Sequence, residues 1–396
     1  MERRQFLKTA LGGAMGLAAA GWPHPLAAQT NPLAAQTNPL AAAAAAAAPA
    51  ENGGAGAKVN VPLRGVNLGG WLVLEKWMVG EVFQGTTASD EYTLCQMLGD
   101  QAQSRLEKHR QTFITAEDFR WIKACGLNAV RLPVGYWALE APQPYVACGP
   151  YIDFALAQCQ QLGLKLLLDL HGAPGSQNGW DHSGRGGAVE WPNDPKNIAG
   201  TLQVLEDFAR HFGQHPALYG IELLNEPRDV VPLPILQEFY LAAYARLRPL
   251  VSPGVAIVMH DSFRSLAWKG FMHGPEWQNV ILDTHLYQCF DPRSKARNAM
   301  EQICFAQDRQ AMLAEMQATE LPALVGEWSL SLPNKATKPL SEFQRDALLR
   351  SYAGAQLLNY ESTRGWFFWS YKMHGETPWN FRHCVERGWL PSRFDV

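Results

Sequence analysis

Several features that define other classes of protein are missing from this sequence. Lysine and arginine number 34 against 37 aspartate and glutamate, so no basic excess suits the chain to nucleic acid. No apolar run reaches the roughly 20 residues that a membrane span requires. C-x-x-C, H-x-H, H-E-x-x-H and G-x-S-x-G patterns are also absent, which disfavours cysteine-based metal sites, zinc-hydrolase motifs and a serine nucleophile. The seven cysteines are an odd number, so at least one thiol stays unpaired, and their pairing cannot be derived from spacing.

The amino-terminal residues have the composition of an export signal followed by a linker. Arg3 and Arg4 precede a short Ala/Gly/Leu run, residues 9–21, which matches the twin-arginine form of signal. The heptapeptide Leu-Ala-Ala-Gln-Thr-Asn-Pro then occurs twice in tandem, before an alanine run. We predict an export signal in residues 1–28, a low-complexity linker in residues 29–57 and one folded domain in residues 58–396. The expected location is periplasmic or secreted.

The folded part alternates short apolar runs with longer amphipathic stretches, the pattern of repeated βα units. Eight such units in one domain predict a closed (β/α)8 barrel, with an unusually long first unit that forms part of the cleft wall. The predicted strands are Leu63–Leu68, Ala129–Leu132, Lys165–Leu170, Leu218–Leu224, Ala256–Met259, Val280–Asp283, Ala323–Val325 and Gly365–Phe368.

Polar and aromatic residues cluster at the carboxyl ends of these strands, where barrels of this type carry their chemistry. The residues are Arg131, Asp169, His171, Asn225, Glu226, His285, Tyr287, Glu327 and Trp369. Glu226 and Glu327 follow strands 4 and 7, which face each other across an eight-stranded barrel. Glycoside hydrolysis needs such a pair of carboxyl groups, one to protonate the leaving oxygen and one on the other side of the anomeric carbon. Fourteen tryptophans and eleven tyrosines fit the same interpretation, because aromatic faces stack on sugars.

Other side chains of the cluster have predicted supporting roles. Asn225 can bind a sugar 2-hydroxyl, while Tyr287 and Arg131 can keep Glu327 ionised, by hydrogen bonding and by charge. A divalent metal held by Asp169, His171, His285 and Glu226 is an alternative interpretation of the same residues.

Long motifs in the chain resemble glycoside hydrolase family 5, and more narrowly its exo-β-1,3-glucanase branch, best known from fungi. The similarity covers about residues 62–391. The motifs are Arg64-Gly65-Val66-Asn67-Leu68-Gly69-Gly70-Trp71, Asp169-Leu170-His171-Gly172-Ala173-Pro174-Gly175, Leu224-Asn225-Glu226-Pro227 and Gly326-Glu327-Trp328-Ser329. The resemblance implies a single (β/α)8 catalytic domain and a retaining double displacement with Glu226 as acid/base and Glu327 as nucleophile. We expect no metal and no cofactor.

The resemblance also implies a set of substrate-binding residues: Glu75, Arg131, His171, Trp180, Asp181, Asn225, His285, Tyr287, Phe290 and Trp369. In that branch Glu75 and Asp181 match carboxylates that bind the terminal glucose and close the pocket, while Trp180 and Phe290 match an aromatic pair at the entrance. The chain departs from the family pattern at His182, where asparagine is usual, at Tyr371, where tryptophan is usual, and in the loop 373–377. These departures are expected to lie at the pocket rim and to affect substrate choice.

The predicted function is therefore release of glucose from the non-reducing end of β-1,3-glucan or its oligosaccharides. The alternatives are a β-glucosidase for β-1,6-linked or small-molecule glucosides, and a non-catalytic glucan-binding barrel. We expect a monomer whose partner is its β-glucan or β-glucoside substrate, with no nucleic acid and no membrane span in the mature chain.

Overall fold

Eight parallel strands close into a barrel in the order β1 to β8, in a computed structural model that describes residues 61–395. The predicted signal, the predicted linker and the first three residues of the predicted domain lie outside the described residues. The strands are β1 Leu63–Asn67, β2 Ala129–Gly135, β3 Lys165–Gly172, β4 Leu218–Glu222, β5 Ala256–His260, β6 Val280–Leu286, β7 Ala323–Trp328 and β8 Gly365–Phe368. Strand β8 pairs with β1 and closes the barrel, which confirms the predicted fold.

Helices connect the strands and form the outer layer. They are α1 Glu91–Leu98, α2 Gln101–Phe113, α3 Ala116–Ala124, α4 Gly149–Leu162, α5 Pro195–Phe212, α6 Leu233–Leu247, α7 Ala299–Gln317, α8 Asn334–Thr337, α9 Glu342–Tyr360 and α10 Phe381–Glu386. Helix α3 begins with a reciprocal capping box between Thr115 and Asp118, in which the aspartate takes the usual place of glutamate. Within residues 61–395, no helix is long and apolar enough to cross a membrane.

Two apolar layers hold the barrel together. The larger one lies between the strands and the helices, as expected for strands covered by crossover helices. The smaller one joins side chains of neighbouring strands that alternate with the first set: Leu63, Ala129, Leu167, Ala256, Val258, Ile281, Leu324 and Phe367. Because successive side chains of a strand point to opposite faces, this second set fills the barrel interior.

The long first unit forms a separate cluster beside the strand ends. Residues of this unit, from Leu74 to Leu106, pack with Trp369, which follows β8, and Tyr287 packs against the same cluster. The unit therefore forms part of the cleft wall, as predicted. All seven cysteines lie within the described residues, and each is a free thiol.

Candidate active site

Strand alternation places the polar residues in one layer above the apolar filling of the barrel. On β2, Arg131 follows Ala129 at a spacing of two residues, and on β6, His285 and Asp283 follow Ile281 in the same way. Side chains two apart on a strand point to the same face, so these polar groups continue the interior column towards the carboxyl ends. Several residues that were predicted to follow a strand, such as His171, His285 and Glu327, therefore lie inside strands that extend further than predicted.

Arg131 is the centre of the polar layer and is fully buried. Its Nε and Nη2 donate to the two carboxylate oxygens of Glu222, at 2.7 and 3.0 Å. Nη2 also donates to Asn225 Oδ1 at 2.8 Å, and Nη1 donates to Asn67 Oδ1 at 2.9 Å. One guanidinium therefore links β1, β2 and β4, a geometry that its planar fork of donors allows.

Glu327 is bound from two sides by the residues that were expected to contact it. Arg131 Nη1 donates to Oε1 at 3.0 Å, and the Tyr287 hydroxyl donates to Oε2 at 2.7 Å. His285 Nδ1 lies 3.4 Å from the same Oε2. These donors fix the orientation of the carboxyl group and favour its ionised form.

Glu226 follows the end of β4 in a backbone conformation that only its surroundings can stabilise. Its φ of 43° lies in the left-handed region, which is costly for a residue with a Cβ. Gln177 holds the preceding residue in place by donating from Nε2 to the Asn225 carbonyl at 2.8 Å. The carboxyl group contacts His285 Nδ1 through Oε1 at 2.8 Å and His182 Nε2 through Oε2 at 3.4 Å.

Burial dominates the electrostatics of this layer. It raises the pKa of Glu327 to about 7, although His285, Arg131 and Tyr287 each lower it. Burial also raises the pKa of Asp169 to about 7, against the effect of Arg131. For His285 burial lowers the pKa, but the Glu327 charge and hydrogen bonds to neighbouring carboxylates raise it well above its ordinary value. Tyr287 and Arg131 therefore lower the pKa of Glu327, as predicted, but the effect of burial on this pKa is larger.

Two groups of ionisable side chains in the site have the spacing of metal ligands. Glu226, His285 and Glu327 offer atoms within 4.8 Å of one another, as do Glu222, Asp283 and His285. The Arg131 guanidinium lies against Glu222 and Glu327 in a buried setting. A fixed positive charge at that distance disfavours a divalent cation. His171, part of the predicted metal alternative, instead places Nδ1 2.6 Å from Asp169 Oδ2, an arrangement that fixes the ring orientation.

The predicted rim residues are on loops around this layer. Trp180 is partly buried, and its ring contacts His182, Phe263 and the guanidinium of Arg228 at centroid distances of 5.3, 6.4 and 5.7 Å. Asp181 begins a short 3-10 turn directly after it.

The remaining predicted substrate-binding residues of the rim lie on other loops. Phe290 packs against Tyr287 and Trp379, at centroid distances of 5.7 and 5.8 Å. Glu75 is buried and accepts a hydrogen bond from Trp77 Nε1 at 2.7 Å. Trp369 stacks on His171 at 5.4 Å with an interplanar angle of 11°. The roles predicted for these side chains remain predictions.

One departure from the family pattern lies away from the predicted rim. Tyr371 is fully buried, and its hydroxyl donates to Asp118 at the start of α3 at 3.0 Å, while its ring contacts Trp121. The prediction that Tyr371 lies at the rim is therefore wrong, because the side chain points towards the helix layer. His182 is also buried, beside Glu226. In the third departure, the loop 373–377, His374, Gly375 and Glu376 are exposed at the surface.

Two charged residues of the site were not predicted from the sequence. Glu222 lies on β4 and binds Arg131, and Asp283 lies on β6 and accepts from the backbone N–H of Gly326 at 2.5 Å. The signal for both was a carboxylate inside an otherwise apolar strand. Such a side chain must have a buried partner, because an unpaired charge in a core is strongly unfavourable.

Comparison with known proteins identifies the class of protein to which this barrel and its carboxylate pair belong. The family model for cellulase, glycosyl hydrolase family 5, matches residues 96–375. The chain therefore belongs to glycosyl hydrolase family 5, and it is a glycoside hydrolase. This confirms the resemblance seen in the sequence motifs.

Individual relatives of known name are similar over most of the chain. A glucan 1,3-beta-glucosidase of Blumeria graminis is 36% identical, with 85% of this chain and 88% of that protein covered. A probable glucan 1,3-beta-glucosidase A of Aspergillus niger is also 36% identical, with 83% and 87% covered. Among solved structures, a rutinosidase from Aspergillus niger matches with a TM-score of 0.72 at 22% identity, covering 83% of this chain and 98% of that one. The structural match supports the barrel fold alone.

Proposed function

We propose that this chain is a retaining, exo-acting β-glucan hydrolase that releases glucose from the non-reducing end of β-1,3-glucan or its oligosaccharides. The observation that carries the proposal is the close approach of two carboxyl groups: one oxygen of Glu226 and one of Glu327 lie within 4.8 Å of each other and of a His285 ring nitrogen. Retaining glycosidases hold their carboxyl groups about 5 to 5.5 Å apart, whereas inverting enzymes need about 6.5 to 9.5 Å to admit a water. The short approach favours direct attack by a carboxylate.

The contacts of the two carboxyl groups support different roles. Glu327 receives donors from Arg131 and Tyr287, which stabilise the carboxylate needed for attack on the anomeric carbon. Glu226 protonates the leaving oxygen in the first step and deprotonates the incoming water in the second. We assign the sugar 2-hydroxyl to Asn225, whose Oδ1 accepts a hydrogen bond from Arg131.

The substrate class follows from the relatives and from the proposed rim. The curated relatives named above are glucan 1,3-beta-glucosidases. We assign the terminal glucose to Glu75 and Asp181, and the leaving-group side to the aromatic faces of Trp180 and Phe290. Because stacking tolerates varied partners, this side is expected to be the less selective, and transfer to a sugar acceptor is an expected side reaction.

Product analysis tests this proposal. The purified enzyme is incubated with laminarin, with β-1,3-, β-1,4- and β-1,6-linked glucobioses and with p-nitrophenyl β-glucoside, and the first-formed anomer is followed by NMR. We expect glucose as the first product from laminarin, released as the β-anomer. Faster turnover of the β-1,6 disaccharide would favour the other β-glucosidase assignment, and binding of laminarin without any turnover would favour a glucan-binding barrel. An α-anomer would contradict the double displacement.

Export is part of the proposed function, because a glucan polymer is a substrate found outside the cytoplasm. We propose a periplasmic or secreted monomer exported by the twin-arginine route. A fusion of residues 1–57 to a reporter that is active only when exported folded tests the route, with Arg3 and Arg4 replaced by lysine as the control. Loss of export in the control is expected, and unchanged export would contradict it. Light scattering of the purified protein measures its molar mass and so tests the proposed monomeric state.

A further inference from the structure

The carboxyl group of Glu226 lies between two histidine rings. His285 reaches it from β6, with Nδ1 2.8 Å from Oε1, and His182 reaches it from the loop after β3, with Nε2 3.4 Å from Oε2. Each oxygen of the proposed acid/base therefore has its own imidazole neighbour. His182 stands where the family pattern usually has asparagine, so the second contact to this carboxyl group comes from an imidazole and not from an amide.

The position of His182 is fixed by the turn that carries it. The residue is only 1% exposed. In the turn, the Ser183 hydroxyl donates to the Trp180 carbonyl at 2.7 Å and lies 2.6 Å from Ser176 Oγ. The Ser183 carbonyl packs so closely on the end of β3 that a Cβ at Gly172 would lie 2.4 Å from it. His182 is thus held by packing and hydrogen bonds, as a residue that orients another group must be.

His182 also connects the floor of the site to its entrance. Its ring lies 5.2 Å from His171, which stacks on Trp369, and 5.3 Å from Trp180. Glu226 Oε2 therefore faces His182, whose ring lies beside both His171 and Trp180, while Oε1 faces His285. Since Trp180 is the proposed leaving-group wall, Oε2 is the oxygen whose imidazole neighbour contacts that wall.

We propose that His182 is a positioning residue that holds Oε2 of Glu226 towards the leaving-group oxygen; this inference rests on the proposed hydrolase function. In the first step the proton on Oε2 moves to the glycosidic oxygen as its bond to C1 breaks and Glu327 bonds to C1. In the second step Glu226 takes a proton from water as the water oxygen bonds to C1 and the Glu327 ester bond breaks. Contacts on both oxygens restrict rotation of the carboxyl group between these steps.

Asparagine is the informative replacement at this position, because its amide N–H can donate to Glu226 Oε2 as the imidazole Nε2 can. Alanine removes the contact altogether.

Leaving-group dependence separates positioning of an acid from a structural role. kcat/KM reports the first step. In that step the leaving oxygen of laminaribiose must be protonated, whereas the dinitrophenolate of 2,4-dinitrophenyl β-glucoside leaves without a proton. For His182→Ala we expect a loss of about 10- to 100-fold on laminaribiose, part of the 10²- to 10⁴-fold that general acid catalysis supplies, and little change on the dinitrophenyl substrate. His182→Asn should recover most of the laminaribiose activity. His211→Asn, at an exposed position on α5, is the matched control.

The outcomes of this experiment are distinguishable. Equal losses on both substrates, or no loss on either, would overturn the role of His182 while leaving the hydrolase assignment intact. A wild-type enzyme that cleaves no β-glucoside would instead defeat the proposed function. If His182→Ala does not fold, His182→Leu is tested on the same two substrates, and equal losses on both, or no loss on either, again contradict the proposal.

Discussion

The floor of the cleft and its rim are built in different ways. The floor consists of buried side chains on the strands or directly after them, joined through Arg131 to carboxylates and amides of β1, β3, β4 and β7. The rim consists of loops, whose aromatic side chains contact one another with few hydrogen bonds among those described. Phe263, next to Trp180, is 47% exposed, whereas Arg131 is fully buried.

The floor and the rim differ because catalysis and substrate recognition require different degrees of precision. Attack on an anomeric carbon requires carboxyl groups held within fractions of an ångström, and strands with interlocked partners provide that precision. Recognition of a leaving group tolerates variation in side chains, and loops can vary in sequence without disturbing the core. The floor should therefore respond to substitution with large losses, and the rim with small, substrate-dependent ones.

The sharpest test of the floor is removal of the proposed nucleophile. Glu327→Ala should lower kcat by about 10⁴-fold or more, because the covalent route is lost. Azide added with an aryl glucoside should restore turnover and give α-glucosyl azide, since azide attacks from the side that Glu327 occupied. Glu226→Ala with azide should give the β-azide instead. The anomers, read by NMR, assign the two roles, and exchanged anomers would reverse the assignment.

Removing the centre of the floor should affect stability as well as activity. Arg131→Met leaves Glu222 and Asp169 buried without their cation, and breaking such a pair costs about 3 to 5 kcal/mol. Chemical denaturation measures the free energy of unfolding. Arg210→Met, which breaks an exposed ion pair with Glu206, should change it by less than about 1 kcal/mol. Similar losses for the two variants would remove the contrast between the buried floor and the surface.

The same contrast explains how much the sequence could predict. The eight strands were predictable because each is an apolar run, and Arg131, Glu226 and Glu327 were predictable because polar groups follow or end those runs. The close approach of Glu226 and Glu327 required the barrel topology as well, since they lie about a hundred residues apart.

What could not be predicted depends on contacts between loops and layers. Tyr371 was expected at the rim, but the direction of a side chain after β8 depends on packing against α3. Glu222 was overlooked because its partner, Arg131, lies 91 residues away in sequence. The position of His182 beside Glu226 depends on a turn whose shape is set by Ser176 and Ser183. Long-range partners of this kind leave little local signal.

A smaller effect is expected at the border between floor and rim. Tyr287→Phe removes a hydrogen bond that lowers the pKa of Glu327, so this pKa should rise from about 7. Because Glu327 must be ionised to attack, the acidic limb of kcat/KM should move to higher pH. A hydrogen bond to a charged group is worth about 1.5 to 3 kcal/mol, which corresponds to about one or two pH units. Tyr360→Phe, in the helix layer, should leave the limb in place. A shift to lower pH would contradict the contact's role.

The smallest effect is expected at the rim itself. Trp180→Ala removes an aromatic face worth about 0.5 to 1.5 kcal/mol beyond its buried area, so KM for laminarin oligosaccharides should rise by about 10-fold. An aryl glucoside with little leaving-group contact should be affected far less, and kcat for either substrate should change little because the floor is intact. Trp180→Phe, which keeps a ring at the entrance, should stay near the wild-type KM. If Trp180→Ala lowered kcat on both substrates alike, Trp180 would belong with the floor, and the separation between precise chemistry on strands and tolerant recognition on loops would fail at this residue.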